Sequence, residues 1–329
     1  MKEISVVGGG SWATAIVKIL TENKVHVNWY LRRVNQVESL KQNGINPRYL
    51  SFVKLNKSLI SPSNDLQKVI KRSSIIFILI PSAQLASFVE QIDPQWMENK
   101  YLVTSIKGTI GPEHELPSSF LSRKLEIQES NMAILGGPCH AEEIGNSMRT
   151  YMTVCSKNAG LLSKLAPALA RPYLSVDKSA DILGIEYAAI YKNVIGIMSG
   201  MAKGLHYGDN FLAVLISNAI GELQNLLQAI GVNPEHFASS KYLGDLLVTG
   251  YSDHSRNRNF GVLIGNGMSI ETAMEKMQMV AEGYPATKGL YELSKEFKVH
   301  TPILFTAYRV LYKYMAVATE FKLLERNLI

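Results

Sequence analysis

The fold class that this sequence predicts is a doubly wound, mostly parallel α/β sheet domain followed by an all-α domain. Three observations predict it. A short apolar strand, Ile4 to Val7, runs directly into the glycine-spaced turn Gly8-Gly9-Gly10-Ser11-Trp12-Ala13. Further short apolar strands recur through the first half of the chain, each closing in small or polar residues, with helical stretches between them. From Asp181 onward the pattern is helical, with N-caps and no convincing strand. Strands alternating with helices build a parallel sheet, whereas sustained helical periodicity builds a bundle. A chain of 329 residues also exceeds one ordinary core. The expected division is residues 1–177 and 178–329.

Taken in order, Ile4 to Val7 is the first strand and Thr14 to Leu20 a helix. Lys24 to Leu31 alternates as a second strand, ended by Arg32 and Arg33. Residues 35 to 72 are mixed, with Asn46-Pro47 and Ser61-Pro62 marking turns. Ile75 to Ile80, Tyr101 to Ser105 and Met132 to Leu135 are apolar strands, closing in Pro81-Ser82, Lys107-Gly108 and Gly136-Gly137-Pro138. Tyr151 to Cys155 and Tyr173 to Val176 are short edge strands flanking a helix near 158–170. In the second half, Ile182 to Lys203 is a long apolar helix, and Phe211 to Ile230 a second, entered at Asn210. Asn233-Pro234 and Thr301-Pro302 each supply an N-cap with proline at the first helical position.

Bulk properties narrow the function classes. The net charge of +6, from 34 basic and 28 acidic residues, suits anionic small ligands. No basic stripe of the kind that tracks nucleic acid is present. No charge-free apolar run approaches the ~18 residues of a bilayer span, so an integral membrane protein is not expected. A strand begins almost at once, leaving no room for a signal peptide's basic and apolar regions. Two cysteines, Cys139 and Cys155, suit a reducing cytoplasm better than a disulfide scaffold.

The glycine turn is the first candidate site. In the spacing G-x-G-x-x-G/A, Gly8 permits the tight turn, Gly10 lets backbone approach a pyrophosphate, and Ala13 lets helix and strand pack closely. Phosphates would lie on the helix N-terminus, where free N–H groups and the dipole favour negative charge. A strand–helix turn that binds nothing is the alternative, and the position at the chain's start between strand and helix favours dinucleotide binding. Where an acidic residue would hold a ribose 2′-hydroxyl, Arg32 and Arg33 stand instead. Arginine accommodates a 2′-phosphate. Two solvated loop arginines are the equal alternative, and the expectation leans to NADP over NAD.

Two further groups bear chemistry. Lys192 lies among Ala188, Ala189, Ile195 and Gly196 on a helix, a poor place for a solvated ammonium. It either snorkels to water or is desolvated and able to move protons. Neighbouring Asn193 is a polar anchor or a surface residue. If Lys192 moves protons, its loss should relieve desolvation and leave the protein folding at least as well as before. Ser255-Arg256-Asn257-Arg258-Asn259 offers a planar arginine fork beside neutral donors, suited to phosphate, or else a capped, charged helix start.

In order along the chain stand Gly8-x-Gly10-Ser11-Trp12-x-Thr14-Ala15, Pro81-Ser82, Lys107-Gly108, Gly137-Pro138-x-His140-Ala141-x-Glu143 and Lys192-Asn193. Gly244-Asp245-Leu246, Ser255-Arg256-Asn257-Arg258 and Glu282-Gly283-Tyr284 follow. With these motifs the chain resembles, over nearly its whole length, the bacterial NAD(P)-dependent glycerol-3-phosphate dehydrogenases. The resemblance implies a Rossmann domain, a helical substrate domain, and interconversion of sn-glycerol 3-phosphate and dihydroxyacetone phosphate, feeding glycerophospholipid synthesis. It implies Lys192 as the proton-transfer lysine and Lys107 as a second lysine contacting cofactor and substrate. It assigns Gly8, Gly10, Ser11, Trp12, Arg32, Ala141, Arg256, Val280 and Glu282 to the cofactor. Gly137, Cys139, Asp245, Ser255, Arg256 and Asn257 fall at substrate positions. A homodimer is implied as well; no metal is expected. The chain departs from the family's pattern where Ala13 replaces a glycine, Cys139 a serine or threonine, and Tyr242 and Gly250 a common glycine and cysteine. None of these removes a catalytic group. The rivals are a 6-phosphogluconate or β-hydroxyacid dehydrogenase, whose motifs around the catalytic lysine differ from Ile190-Tyr191-Lys192-Asn193-Val194, and a non-catalytic NAD(P)H sensor, which has no need of lysines at Lys107 and Lys192.

Overall fold

The computed structural model describes residues 2–232, 236–252, 255–277 and 281–328. The chain divides into two compact units, Met1–Ile106 with Glu115–Ile182, and Lys107–His114 with Leu183–Ile329. The expected change at residue 178 falls inside a strand. The excursion of Lys107–His114 into the second unit has no counterpart in the sequence pattern.

The first unit is an eight-stranded sheet with strands β1 (Glu3–Val7), β2 (His26–Tyr30), β3 (Ile60–Ser63), β4 (Ile75–Ile78), β5 (Tyr101–Thr104), β6 (Met132–Gly136), β7 (Thr150–Cys155) and β8 (Leu174–Ser179). Their spatial order is β3-β2-β1-β4-β5-β6-β7-β8. All neighbours pair in parallel except β6 and β7. The central strands β1, β4 and β6 are buried almost throughout, as expected for a sheet with both faces covered. Helices α1 (Ser11–Glu22), α2 (Val34–Asn43), α3 (Leu66–Arg72), α4 (Ser82–Val89), α5 (Pro117–Leu125), α6 (Ala141–Gly145) and α7 (Ala159–Leu169) connect them. The chain leaves β1 toward β2 and β3, then returns to β4 on the other side of β1. The strand order therefore reverses between β1 and β4, the position at which such sheets bind ligands. Because β1, β4, β5 and β6 are parallel, the turns after them leave the same edge of the sheet.

Three sequence expectations in this unit are corrected. Ser61-Pro62 is not a turn: it lies within β3, where Pro62 pairs opposite Trp29. An edge strand tolerates proline because one side of its backbone makes no ladder bond. The strand at 151–155 is not an edge, since β7 lies between β6 and β8. The mixed stretch 35–72 holds α2, β3 and α3, elements too short for a clear periodic signal.

The second unit is helical: α8 (Ile182–Gly204), α9 (Asp209–Ala229), a π-helical turn at Ser240–Gly244, α10 (Asp245–Tyr251), α11 (Arg256–Gly265), α12 (Ile270–Met277), α13 (Gly283–Glu296), α14 (Pro302–Lys313) and α15 (Val317–Leu324). Helix α9 starts at Asp209 behind Gly208, so Asn210 is inside it and caps nothing. Thr301 precedes α14 but makes no side-chain cap bond. The buried Glu222 of α9 takes that role, its carboxylate accepting from the backbone N–H of Ile303 (2.8 Å) and Leu304 (3.0 Å). The Asn233-Pro234 start lies outside the described residues.

Candidate active site

In the sheet unit the site is a backbone cradle. Gly8 has φ +126°, and a Cβ there would stand 2.2 Å from the Leu79 carbonyl oxygen at the end of β4, so only glycine fits. Gly10 faces open space and precedes α1 with no side-chain cap, and no acidic residue occupies the first turn. First-turn N–H groups lack partners within a helix, and with the dipole they make a seat for an anion. Ser11 and Trp12, half-buried, begin this turn. A pyrophosphate fits this cradle in shape and in charge.

The carbonyl oxygens of the turn are held by side chains from outside it. Trp29 Nε1–H donates to Gly8 O (2.7 Å), while Gln36 Nε2 and Asn46 Nδ2 both donate to Gly9 O (3.1 Å each). Asn46, wholly buried, also donates to Thr14 Oγ1 (2.8 Å), and Gln36 donates to Asn46 Oδ1 (3.0 Å). Sequence reasoning passed over Trp29, Gln36 and Asn46, whose only signal was three amide or indole N–H groups at otherwise apolar or turn positions.

Arg32 is exposed in the loop after β2, close enough to Tyr30 that its charge counters the upward push that burial gives the phenol. Gly137, with φ +93°, follows β6. The Cys139 thiol is buried and turned to the Gly137 carbonyl oxygen (3.2 Å). Ala141 is buried at the start of α6.

In the helical unit a polar cluster is built around α8. Lys192 is 5% exposed, and its Nζ lies 2.5 Å from Asp245 Oδ1, itself 4% exposed. The snorkelling alternative is thereby excluded, because the ammonium ends on a buried carboxylate. Asp245 is the first residue of α10, directly after the π turn, where the helix dipole suits a carboxylate. Beside Lys192, Asn193 Nδ2 donates to the Lys107 carbonyl oxygen (2.7 Å), and Asn257 Nδ2 donates to Asn193 Oδ1 (2.9 Å). Asn257 Oδ1 in turn accepts from the Gly283 N–H (2.9 Å) at the start of α13. Four separate segments thus meet through three hydrogen bonds, and Asn193 is an internal anchor, not a surface residue.

Ser255 is the N-cap of α11, its Oγ accepting from the Arg258 N–H (3.3 Å). A capped helix start is therefore present. It does not consume the group, since a hydroxyl also carries a proton to donate. Arg256 is exposed on the first turn of α11, whereas Arg258 is buried. Lys107 and Glu282 are half-buried. Val280 lies outside the described residues. Among the described residues no group of three or more His, Cys, Asp or Glu could hold a metal ion.

Comparison with known proteins agrees along the whole chain. The family model described as NAD-dependent glycerol-3-phosphate dehydrogenase N-terminus matches residues 3–162, and that described as its C-terminus matches residues 181–322. A protein of Limosilactobacillus reuteri named glycerol-3-phosphate dehydrogenase [NAD(P)+] is 32% identical over 332 residues, covering 99% of this chain and 98% of its own. A protein of the same name from Carboxydothermus hydrogenoformans is 32% identical over 310 residues, covering 94% and 92%. The crystal structure of a glycerol-3-phosphate dehydrogenase from Coxiella burnetii shares the fold, with a TM-score of 0.89 at 24% identity and 98% of each chain covered. From these matches over both halves, together with the glycine cradle and the buried lysine–aspartate pair, the chain belongs to the NAD-dependent glycerol-3-phosphate dehydrogenase family.

Proposed function

We propose that Lys192 and Lys107 carry, in this chain, the interconversion of sn-glycerol 3-phosphate and dihydroxyacetone phosphate that defines its family. The observation that carries this reading is the buried Lys192–Asp245 pair, a proton-bearing group held in place by a carboxylate. When bound, the nicotinamide cofactor takes up or supplies the hydride. The Lys192 ammonium donates a hydrogen bond to the carbonyl oxygen and transfers its proton as that oxygen gains charge; in the oxidative direction it takes the proton back. Asp245 fixes the Nζ position and offsets its charge between turnovers. Lys107, its backbone held by Asn193, adds positive charge beside the same oxygen. Arg256, Ser255 and Asn257 hold the substrate phosphate, with Gly137 and Cys139 supplying backbone and thiol contacts. The cradle of Gly8, Gly10, Ser11 and Trp12 holds the pyrophosphate, and Ala141 and Glu282 are further cofactor contacts.

NADP(H) is preferred in this reading, because Arg32 leaves β2 where no acidic residue repels a 2′-phosphate. Exposed apolar side chains on α13 to α15 and their connections, among them Phe297, Phe305, Tyr314 and Leu323, support a homodimer. No helix among the described residues is long and apolar enough to cross a membrane, and Cys139 and Cys155 are both buried. In this reading the chain is a cytoplasmic enzyme supplying glycerol phosphate for lipid synthesis, as its family membership suggests.

The test is to mix the folded protein with NADPH or NADH and dihydroxyacetone phosphate and follow the absorbance of the reduced nicotinamide. Oxidation that depends on the triose phosphate is expected with both cofactors; none with either would overturn the reading. Arg32→Ala should weaken NADPH binding by ~1–2 kcal/mol, the worth of one exposed charge-assisted contact, and leave NADH nearly unchanged. Equal losses for both would show that Arg32 does not meet the 2′ position.

A further inference from the structure

The segment Lys107–His114 departs from the sheet after β5 and packs with the helical unit. Helix α13 reaches it at both ends. At the Lys107 end the link is the hydrogen-bond series Gly283 N–H to Asn257, Asn257 to Asn193, and Asn193 to the Lys107 carbonyl oxygen. At the other end the His114 ring lies against α13 at Gly289, where a Cβ would stand 2.6 Å from His114 Cγ. His114 Nε2 lies 3.5 Å from Glu292 Oε2 one turn further along α13, and its Nδ1 is 3.2 Å from Thr109 Oγ1, inside the segment.

The backbone at His114 has φ +53°, a left-handed conformation that a residue with a Cβ keeps only where its surroundings impose it. Partial burial holds the imidazole below its ordinary value, against the opposing pull of Glu292 and Glu113 and with that of Lys288. In this geometry Nδ1 can accept from the Thr109 hydroxyl while Nε2 faces the Glu292 carboxylate. The notch at Gly289 is a helix-interior glycine, a position where alanine would ordinarily favour the helix, so its use here is to admit the ring.

We propose that His114 is a positioning residue: by seating on Gly289 and Glu292 it pins the far end of the 107–114 segment and so sets the place of Lys107. This rests on the role given above to Lys107. A segment of this length tied only at the Lys107 carbonyl could swing its side chain, and displacement of a reacting group by about an ångström is enough to slow catalysis strongly.

The test is a double-mutant cycle on the intact protein. Lys107→Ala alone examines the role of Lys107: if activity is unaffected, that role fails whatever His114 does. Given a loss there, His114→Ala is expected to lower kcat/KM for dihydroxyacetone phosphate roughly tenfold while leaving NADPH affinity close to normal. Gly289→Ala, which fills the notch, should cause a similar loss. In the Lys107→Ala background the His114→Ala change should cost no further activity, because residues acting through one group are not additive. A purely structural role would instead lower the melting temperature and reduce activity equally in both backgrounds. Full activity of His114→Ala, or additive losses with Lys107→Ala, would overturn the proposal. Gly289→Ala keeps it testable should His114→Ala fold poorly, and full activity of that variant would overturn it too.

Discussion

At Lys192 two opposite charges sit 2.5 Å apart and nearly dry, and that pairing changes what a mutation should do. From the lysine alone, its removal should relieve desolvation and spare the fold. With Asp245 facing it, Lys192→Ala strands a buried carboxylate, a loss of ~3–5 kcal/mol in stability. Turnover should fall by ~10²–10⁴, as for removal of a positioned acid or base. The double replacement Lys192→Met with Asp245→Asn should recover much of the stability and none of the turnover, measured by denaturant titration and initial rates. Recovery of turnover in that variant would remove the pair from the chemistry. Arg256 presents the opposite case, an exposed side chain on the first turn of α11. Arg256→Ala should leave the melting temperature unchanged and raise KM for dihydroxyacetone phosphate by the ~1.5–3 kcal/mol of a charged hydrogen bond. An unchanged KM would put the phosphate elsewhere.

Among the elements, the turn between β1 and α1 depends on groups distant in sequence. Gly8 must hold φ +126° beneath the Leu79 carbonyl, so Gly8→Ala should cost ~1–3 kcal/mol from backbone strain alone, with the steric clash added, and abolish cofactor binding. Asn46→Ala leaves the turn's own residues intact but removes one of the two donors to Gly9 O, the donor to Thr14 Oγ1 and the acceptor of Gln36 Nε2. It should destabilise by ~1–3 kcal/mol, the cost of unsatisfied buried partners, and weaken NADPH binding without changing KM for the triose phosphate. Calorimetry of cofactor binding checks both. Normal affinity in Asn46→Ala would mean that the cradle keeps its shape without that brace.

For the whole molecule the relevant group is Glu222, buried between α9 and α14 and bonded by the Tyr191 hydroxyl (2.9 Å) next to Lys192. Burial pushes its carboxyl up from 4.5 to about 7, against the opposing effect of the Ile303, Tyr191 and Leu304 hydrogen bonds. Between those values the folded protein keeps a proton that the unfolded chain has released. The contribution to stability is therefore full below pH 4.5 and is lost as pH rises through about 7. The size is roughly 3 kcal/mol, at ~1.4 kcal/mol for each unit of pKa. Denaturant titrations across that range should show a steeper decline in the parent than in Glu222→Gln, which has no proton to lose. Parallel curves would show that Glu222 does not set the slope.

Local pattern determined the alternation of strands and helices, the glycine turn, the apolar helix bearing Lys192 and the family to which its spaced motifs belong. These are properties of neighbouring residues: the period of burial and the φ that glycine permits. Only the tertiary structure decided which groups complete them. Asp245 comes to Lys192, Asn46 to Gly9, Glu222 to the end of α14 and Asn193 to the Lys107 carbonyl from across long stretches of chain, and no periodicity records such a meeting. The same holds for Pro62, a turn signal by itself and a strand residue once β3 takes the sheet edge. A buried polar atom must find its partner wherever the fold brings one, so its partner is fixed by packing and not by position in the sequence.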